Sequence, residues 1–151
     1  MDETYVRVKG EWKYLYRAVD AEGQTIDFLL TPQRDKAAAV AFLHRAIRSH
    51  GVPKTIIIDQ SGSNTAATEE HNQRHRTAIE IRQSKYLNNL VEQDHRVVKQ
   101  KVRPMLGFKS SWTARCTIAG IEVLHAIRKG QQLSFGTGSR TPAEQFYALA
   151  A

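Results

Sequence analysis

The sequence predicts one α/β domain in which helices flank a mixed sheet, and two features carry this prediction. Three segments of alternating apolar and polar residues come first, joined by short turns, which is typical of an antiparallel meander. A helical pattern and a run of β-branched residues follow, and a strand–helix–strand order usually gives parallel pairing in one sheet. The length of 151 residues is enough for a single domain with a sizeable core.

The meander is predicted at residues 4–9, 12–19 and 25–30. These segments alternate or are rich in β-branched and aromatic residues, as strands are. Gly10 ends the first segment, and residues 20–23 have the composition of a turn. We therefore expect three antiparallel strands joined by short connections.

The first helix is predicted over residues 35–50, where apolar residues recur at helical spacing. Gly51 and Pro53 end it. Residues 55–59 then indicate a strand buried on both faces, because three consecutive isoleucines run into an aspartate.

The second half of the chain completes the order of elements. The prediction is a short helix at 66–75, a strand at 79–82, and helices at 88–102, about 110–130 and 141–150. Up to the helix that ends at about residue 130, the order β-β-β-α-β-(α)-β-α-α is that of the ribonuclease H-like fold, a five-stranded mixed sheet with an antiparallel meander followed by parallel strands. We assign residues 1–151 to a single domain of this kind, with the last two helices at its C-terminal end.

The composition bounds the class of partner. A net charge of +7 favours a polyanion such as nucleic acid. The single cysteine excludes an internal disulfide and fits a reducing compartment. No apolar run approaches the ~20 residues of a membrane helix, and the first residues lack the pattern of a signal peptide. We therefore expect a cytoplasmic protein without a membrane partner.

Two aspartates begin and end predicted strands. Asp2 lies at the start of the first strand, and Asp59 lies at the end of the buried one. If those strands are neighbours, both carboxylates reach one edge of the sheet, where two carboxylates and a substrate phosphate would suit Mg²⁺. The alternative is a solvated acid at Asp2 and a turn or helix-cap aspartate at Asp59.

A third acid, Glu92, lies on a predicted helix with two distinct rows of residues. The predicted core face consists of Val91, His95, Val98 and Val102. A second row, about 100° round the helix from this face, consists of Glu92, Arg96, Lys99 and Arg103. One acid and three bases would then border the core, which suits a metal ligand flanked by phosphate contacts. A capping box between Asn89 and Glu92, or a solvated face with one Glu–Arg pair, are the other interpretations.

Other candidate residues are weaker. His71 and His75 are four apart, but no Cys or acid completes a zinc set, so no metal is expected there. Lys85 lies between a strand and a helix, where it suits either phosphate contact or an ordinary surface loop. Trp112 and Cys116 fall in an apolar helix and are predicted to be buried.

Four segments carry motifs that occur together in a known family: residues 1–20, 85–95, 106–110 and 120–124. In this order they resemble the catalytic domain of bacterial insertion-sequence transposases of the six family, the group typified by insertion sequence 26. The likeness runs from Asp2 to about Gln131, and the number of motifs makes it specific.

The resemblance implies a DDE transposase that cleaves and transfers DNA strands when an insertion sequence moves. It assigns Asp2, Asp59 and Glu92 as catalytic residues and metal ligands, and Lys99 as a DNA contact on the same helix as Glu92. Two Mg²⁺ or Mn²⁺ ions about 3.5–4 Å apart are the implied cofactors. The implied partners are transposon ends, target DNA and further copies of the chain in the bacterial nucleoid, with no small-molecule substrate. Further candidate DNA contacts are Arg96, Arg103 and Lys85.

The sequence departs from the family pattern in three places. The family has a helix-turn-helix region before its first aspartate, so we interpret this chain as truncated at the N-terminus, with Asp2 prone to fraying. The spacing from Asp59 to Glu92 is slightly short, and residues 60–64 differ from the usual family sequence. The alternative function is therefore a catalytically impaired remnant that binds DNA or dimerises, and a general nuclease of the same fold is the third hypothesis.

Overall fold

The computed structural model describes residues 1–59, 61–84, 89–131 and 141–148, without the side chain of Leu90. The strands are β1 (Asp2–Val8), β2 (Glu11–Val19), β3 (Thr25–Thr31), β4 (Thr55–Ile58) and β5 (Glu80–Gln83). The helices are α1 (Lys36–His50), α2 (Gly62–His75), α3 (Asn89–Val102), α4 (Ser111–Arg128) and α5 (Pro142–Ala148). A 3₁₀ turn, Arg103–Met105, follows α3. The predicted order of elements is confirmed.

The antiparallel meander forms because its turns are short. Lys9 and Gly10 both have positive φ, 51° and 82°, as a two-residue hairpin turn requires. The register places Asp2 opposite Arg17 and continues to the end of β1. β3 pairs with the other edge of β2, also antiparallel. The longest strand, β2, is therefore the centre of this sheet.

The five strands do not form the single five-stranded sheet that the order of elements predicted. Within the described residues, β1, β2 and β3 form one sheet, and β4 pairs with β5 in a second, parallel one. The amino group of Met1 donates a hydrogen bond to the carbonyl of Ile57, 2.7 Å away, so the two sheets approach each other at the start of β1. β4 has only four residues, and its Ile56 and Ile58 share a core with Met1, the residue directly before β1. The antiparallel and parallel pairings themselves agree with the prediction.

The three-stranded sheet has a helix layer on each face because successive strand residues point to opposite sides. On one face, α1 and β4 pack against Tyr16 of β2, with Phe42, Leu43 and Ile58 in the same core. On the other face, α3 and α4 close a second core whose members include Val6, Val8, Leu15, Val98, Val102, Phe108 and Ile118. The stripe predicted for α3 is confirmed, since Val91, His95, Val98 and Val102 are all buried.

Local sequence determines where the first two helices begin. The Asp35 side chain caps α1 by accepting a hydrogen bond from the Ala38 backbone amide at 2.8 Å. α2 begins at Gly62, earlier than predicted, because the Ser61 carbonyl already accepts a hydrogen bond from the Thr65 amide. The N-terminus of α2 thereby comes close to the end of β4.

Two residues of α4 correct the prediction that its apolar side chains are buried. Trp112 is 73% exposed, and Cys116 is also exposed. The buried row of α4 runs through Ala114, Ile118 and Glu122 at intervals of four. Residues two positions away lie about 200° round the helix, on the opposite side. No helix in the described part of the chain is long and apolar enough to cross a membrane.

Candidate active site

Three carboxylates meet where β1 begins and β4 ends. Asp2, Glu3 and Asp59 each place a carboxylate oxygen within 4.8 Å of the others. All three residues are intermediate in burial, so the group lies at the surface edge of the two sheets. The sequence predicted the approach of Asp2 and Asp59, and the structure brings these two together.

Asp59 is fixed by the elements on either side of it. It directly follows Ile58, which is fully buried at the end of β4. One of its oxygens, Oδ1, accepts a hydrogen bond from the Ser61 backbone amide at 3.1 Å. This contact orients the carboxylate at the entrance to α2, and the other oxygen can take a cation.

Asp2 is held by α3 through a histidine. The Nε2 atom of His95 lies 3.4 Å from the Oδ2 atom of Asp2. Burial alone would raise the pKa of Asp2, but the neighbouring His95 imidazole holds the pKa below its ordinary value. The carboxylate is therefore ionised at neutral pH and ready to bind a cation.

Glu3 is a member of the group that the sequence did not single out. Its side chain is only 4% exposed and forms an ion pair with Arg34. It also accepts hydrogen bonds from Asn64 Nδ2 at 2.8 Å and from Ser61 Oγ at 3.4 Å. Strand alternation places Glu3 on the face of β1 opposite Asp2, so that its partners come from α2 and the segment before α1. These contacts engage both oxygens and anchor the start of α2 against β1.

Glu92 lies outside the three-carboxylate group. It is exposed in the first turn of α3, one turn before His95, which is the α3 side chain that reaches Asp2. A separation of three residues corresponds to a rise of about 4.5 Å along the helix. Glu92 thus borders the site, although the structure does not bring its carboxylate to Asp2 and Asp59.

The predicted DNA contacts on α3 and in the 3₁₀ turn after it all face solvent. Arg96, Lys99 and Arg103 are exposed. The Lys99 ammonium lies 5.8 Å from the ring centroid of Tyr5, an exposed residue of β1. The remaining candidate, Lys85, lies outside the described residues.

Residues 1–131 match a family model described as a DDE domain. This chain belongs to the DDE domain family of insertion-sequence transposases. Curated relatives of the DDE domain include the transposase for insertion sequence-like element IS431mec and the transposase for insertion sequence element IS257 in transposon Tn4003, both of Staphylococcus aureus. Each is 40% identical over 153 residues, which make up 100% of this chain and 66% of the relative. The chain therefore spans slightly less than two thirds of their length.

Solved structures with a similar fold include retroviral integrase cores. The DDE domain superposes on the HTLV-2 integrase catalytic core domain with a TM-score of 0.60 and 18% identity, over 95% of this chain and 90% of that one. For the catalytic core domain of BIV integrase, the TM-score is 0.58 and the identity 14%, over 99% of this chain and 93% of the other. The α/β, ribonuclease H-like class predicted from the order of elements is thus confirmed, with the strands of this DDE domain divided between two sheets.

Behind the carboxylates, a buried ion network orients α3 in the DDE domain. Arg17 is fully buried, and its Nη2 atom lies 3.1 Å from Asp94 Oδ2 and 2.7 Å from Glu122 Oε2. Lys129 and His125 of the α4 end also contact Asp94, at 2.8 and 3.1 Å. This network was not predicted from the sequence. Its only signal there was a set of charged residues at positions whose spacing is typical of a core.

The two buried acids of the network titrate differently. Burial alone would raise the pKa of Asp94, but hydrogen bonds from Lys129 and His125 and the charge of Arg17 hold the pKa below its ordinary value. Burial raises the pKa of Glu122, against the attraction of Arg17. Of the two acids, Asp94 is therefore the one that stays firmly ionised. It is also the neighbour of His95 on α3.

Proposed function

We propose that this DDE domain catalyses metal-dependent DNA strand cleavage and strand transfer in the transposition of an insertion sequence. The observation that carries the proposal is the convergence of Asp2 and Asp59 at the edge of the two sheets, in a chain that belongs to the DDE family. Residues 1–151 act as one catalytic core in this proposal.

The proposed metal ligands are Asp2, Asp59 and Glu92, with Mg²⁺ or Mn²⁺ as the cofactor and two ions as the expected number. Carboxylate oxygens are hard ligands that suit these cations. Asp2, which is ionised, and the adjacent Asp59 supply two of the carboxylate ligands. When bound, the ions supply charge stabilisation for the attacking and leaving oxygens of a phosphodiester. The HTLV-2 integrase core, which shares the fold, is in complex with magnesium, and this supports the choice of ion.

The chain's own residues have separate tasks at this site. His95 keeps the Asp2 carboxylate ionised and directed towards Asp59. Glu3, paired with Arg34 and Asn64, positions the start of α2 and with it the amide that orients Asp59. Glu92 completes the ligand set by turning inward from the first turn of α3, one turn from His95.

The proposed nucleic-acid partner is DNA, both transposon ends and target, in the bacterial nucleoid. The net charge of +7 supports this partner, as does the exposed row of basic residues on α3 beside Glu92. In this proposal Lys99, Arg96 and Arg103 contact phosphates, and Lys85 joins them from the segment before α3. Further copies of the chain are expected in the active complex.

Cleavage of supercoiled plasmid DNA in Mg²⁺ or Mn²⁺ tests the proposal. Asp59→Asn should lower the rate at least about 100-fold, since even substitutions outside the ligand set typically reduce metal affinity or activity 10–100-fold. Glu69→Gln is the matched control, because Glu69 is an exposed acid on α2 outside the carboxylate group. Equal cleavage rates for wild type and Asp59→Asn, or no cleavage by either, would refute the proposal.

A second candidate function is DNA binding or dimerisation without catalysis. It is favoured by the basic charge together with the position of Glu92, which lies outside the group formed by Asp2, Glu3 and Asp59. DNA binding that persists in Glu92→Gln, with no cleavage by the wild type, would establish it. For the catalytic proposal, Glu92→Gln should instead weaken Mn²⁺ binding by at least about tenfold in calorimetry.

A further inference from the structure

Three histidines from two helices meet on the side of the molecule formed by α1 and α2. His44 belongs to α1, and His71 and His75 belong to α2. Their ring centroids are 5.2 Å apart for His44 and His71, 5.6 Å for His44 and His75, and 4.5 Å for His71 and His75. One ring nitrogen of each lies within 4.8 Å of the others. We call these residues the histidine cluster.

The helices bring the cluster together by simple geometry. His71 and His75 are four residues apart, so they lie one above the other on one face of α2. This face continues the buried row of α2, formed by Asn64, Ala67 and Thr68, which packs towards α1. The sequence showed only the pair on α2, because the third histidine comes from a different element.

His71 is a buried polar side chain that lacks a hydrogen-bond partner among the described residues. It is 5% exposed, and both Nδ1 and Nε2 are inaccessible to solvent and make no hydrogen bond there. A buried polar atom left in this state costs about 1–3 kcal/mol, so an unpaired imidazole in a native fold calls for a ligand or another explanation. His44 is half-buried and His75 exposed, which leaves the cluster open on one side.

We propose that the histidine cluster binds a divalent transition-metal ion of the zinc class. Three imidazole nitrogens from two helices match the ligand type and number of sites in which Zn²⁺ keeps a fourth, open position. Imidazole favours Zn²⁺, Ni²⁺ or Cu²⁺ over the hard ions Mg²⁺ and Ca²⁺, so the ligand differs from the one expected at the carboxylates.

The surrounding charges tolerate a cation at this place. The cluster lies at the C-terminal end of α2, where the helix dipole favours positive charge. Of the neighbouring charges, Glu70 is paired with Lys36 at 2.8 Å and with Arg74 at 3.0 Å, so this acid offsets the charge of one of the two bases. A bound ion would join α1 to α2 and act as a structural clamp.

The histidine cluster is separate from the carboxylate group. Asn64, which contacts Glu3, precedes His71 by seven residues, a rise of about 10 Å along α2. The two sites use opposite ends of the same helix. Metal binding at the cluster therefore does not depend on the proposed catalytic function.

Titration of the purified, metal-free chain with Co²⁺ and then Zn²⁺ tests the proposal. Co²⁺ reports nitrogen coordination by its visible absorption, and Zn²⁺ should displace it. We expect one equivalent in the wild type, and at least tenfold weaker binding in His44→Ala and in His75→Ala. His50→Ala is the matched control, since His50 is an exposed histidine of α1 outside the cluster. Asp59→Asn should retain the signal, because its change lies in the carboxylate group.

Thermal unfolding gives a second readout. Zn²⁺ at about 100 times its Kd should raise the Tm by roughly 5–10 °C in the wild type and in His50→Ala, but not in His44→Ala. His44→Gln and His75→Gln keep the side-chain volume and replace the alanine variants if circular dichroism shows that those unfold. No absorption band in the wild type, or a band unchanged in both cluster variants, overturns the proposal. A band lost in Asp59→Asn alone would also overturn it by assigning the ion to the carboxylates.

Discussion

Arg17→Met is the most informative stability test of this fold, because it removes the centre of the buried ion network. Arg17 is fully buried and bridges Asp94 of α3 and Glu122 of α4. Methionine fills a similar volume without a charge. The variant therefore isolates the electrostatic contribution from the effect of creating a cavity.

The two acids lose unequal amounts in this variant. Asp94 keeps Lys129 and His125 as partners. Glu122 loses the one partner found for it among the described residues, since its other oxygen, Oε1, already makes no hydrogen bond there. Removing one partner of a buried pair typically costs about 3–5 kcal/mol. For a chain of this size, that corresponds to a fall in Tm of roughly 6–20 °C.

The pH dependence gives the loss a distinct signature. Burial raises the pKa of Glu122 above that of the unfolded chain, and loss of the Arg17 charge raises it further. A carboxyl with a raised folded-state pKa destabilises the fold when ionised, and this penalty disappears as the pH falls towards the unfolded pKa of about 4.3. The deficit of Arg17→Met should therefore shrink as the pH falls from about 7 to about 5.

Urea unfolding followed by circular dichroism measures the effect. Arg115→Met on the exposed side of α4 is the control, expected to change the free energy of unfolding by no more than about 0.5 kcal/mol. The double variant Arg17→Met/Glu122→Gln should recover part of the loss. A loss below about 1 kcal/mol for Arg17→Met, or a double variant no better than the single one, refutes the reasoning.

Two further predictions concern α3. Lys99→Ala should weaken DNA binding for all sequences alike and reduce the slope of log K against log salt by about 1, whereas removal of a residue without phosphate contact leaves the slope unchanged. Lowering the pH should remove the contribution of Asp94 to the free energy of unfolding. Because its folded-state pKa is depressed, that contribution is present above the unfolded pKa of about 3.9 and is lost as the pH falls through the folded value. The difference in unfolding free energy between wild type and Asp94→Asn should thus narrow below about pH 4, and a constant difference contradicts it.

Much of the fold is predictable because its signals are local. The hairpin at Gly10, the cap at Asp35 and the stop at Gly51 each act within a few residues of their own position. The division into two sheets is not local, because it depends on whether β4 and β1 pair along their length or only near Met1. The exposure of Trp112 follows from which face of α4 packs on the sheet, which its mixed composition leaves undecided.

The candidate site divides in the same way. Asp2 and Asp59 were predictable because each begins or ends a strand, and the chain order brings those strands together. Glu3 was not predicted, because strand alternation places it on the face of β1 opposite Asp2 and its role depends on partners from α2. His44 joined its cluster only when α1 and α2 packed, since nothing near it in the sequence suggests a ligand.

The orientation of α3 links the stability of the domain to its proposed chemistry. Asp2 and Arg17 are cross-strand partners, so their side chains point to the same face of the sheet. On α3 the successive residues Asp94 and His95 contact Arg17 and Asp2 respectively, which holds the helix against two strands at once. A helix held at two points about 100° apart cannot rotate without breaking one of them. The rotation that sets where Glu92 and Lys99 project is therefore determined by these two contacts, and not by the exposed residues that would touch metal and DNA.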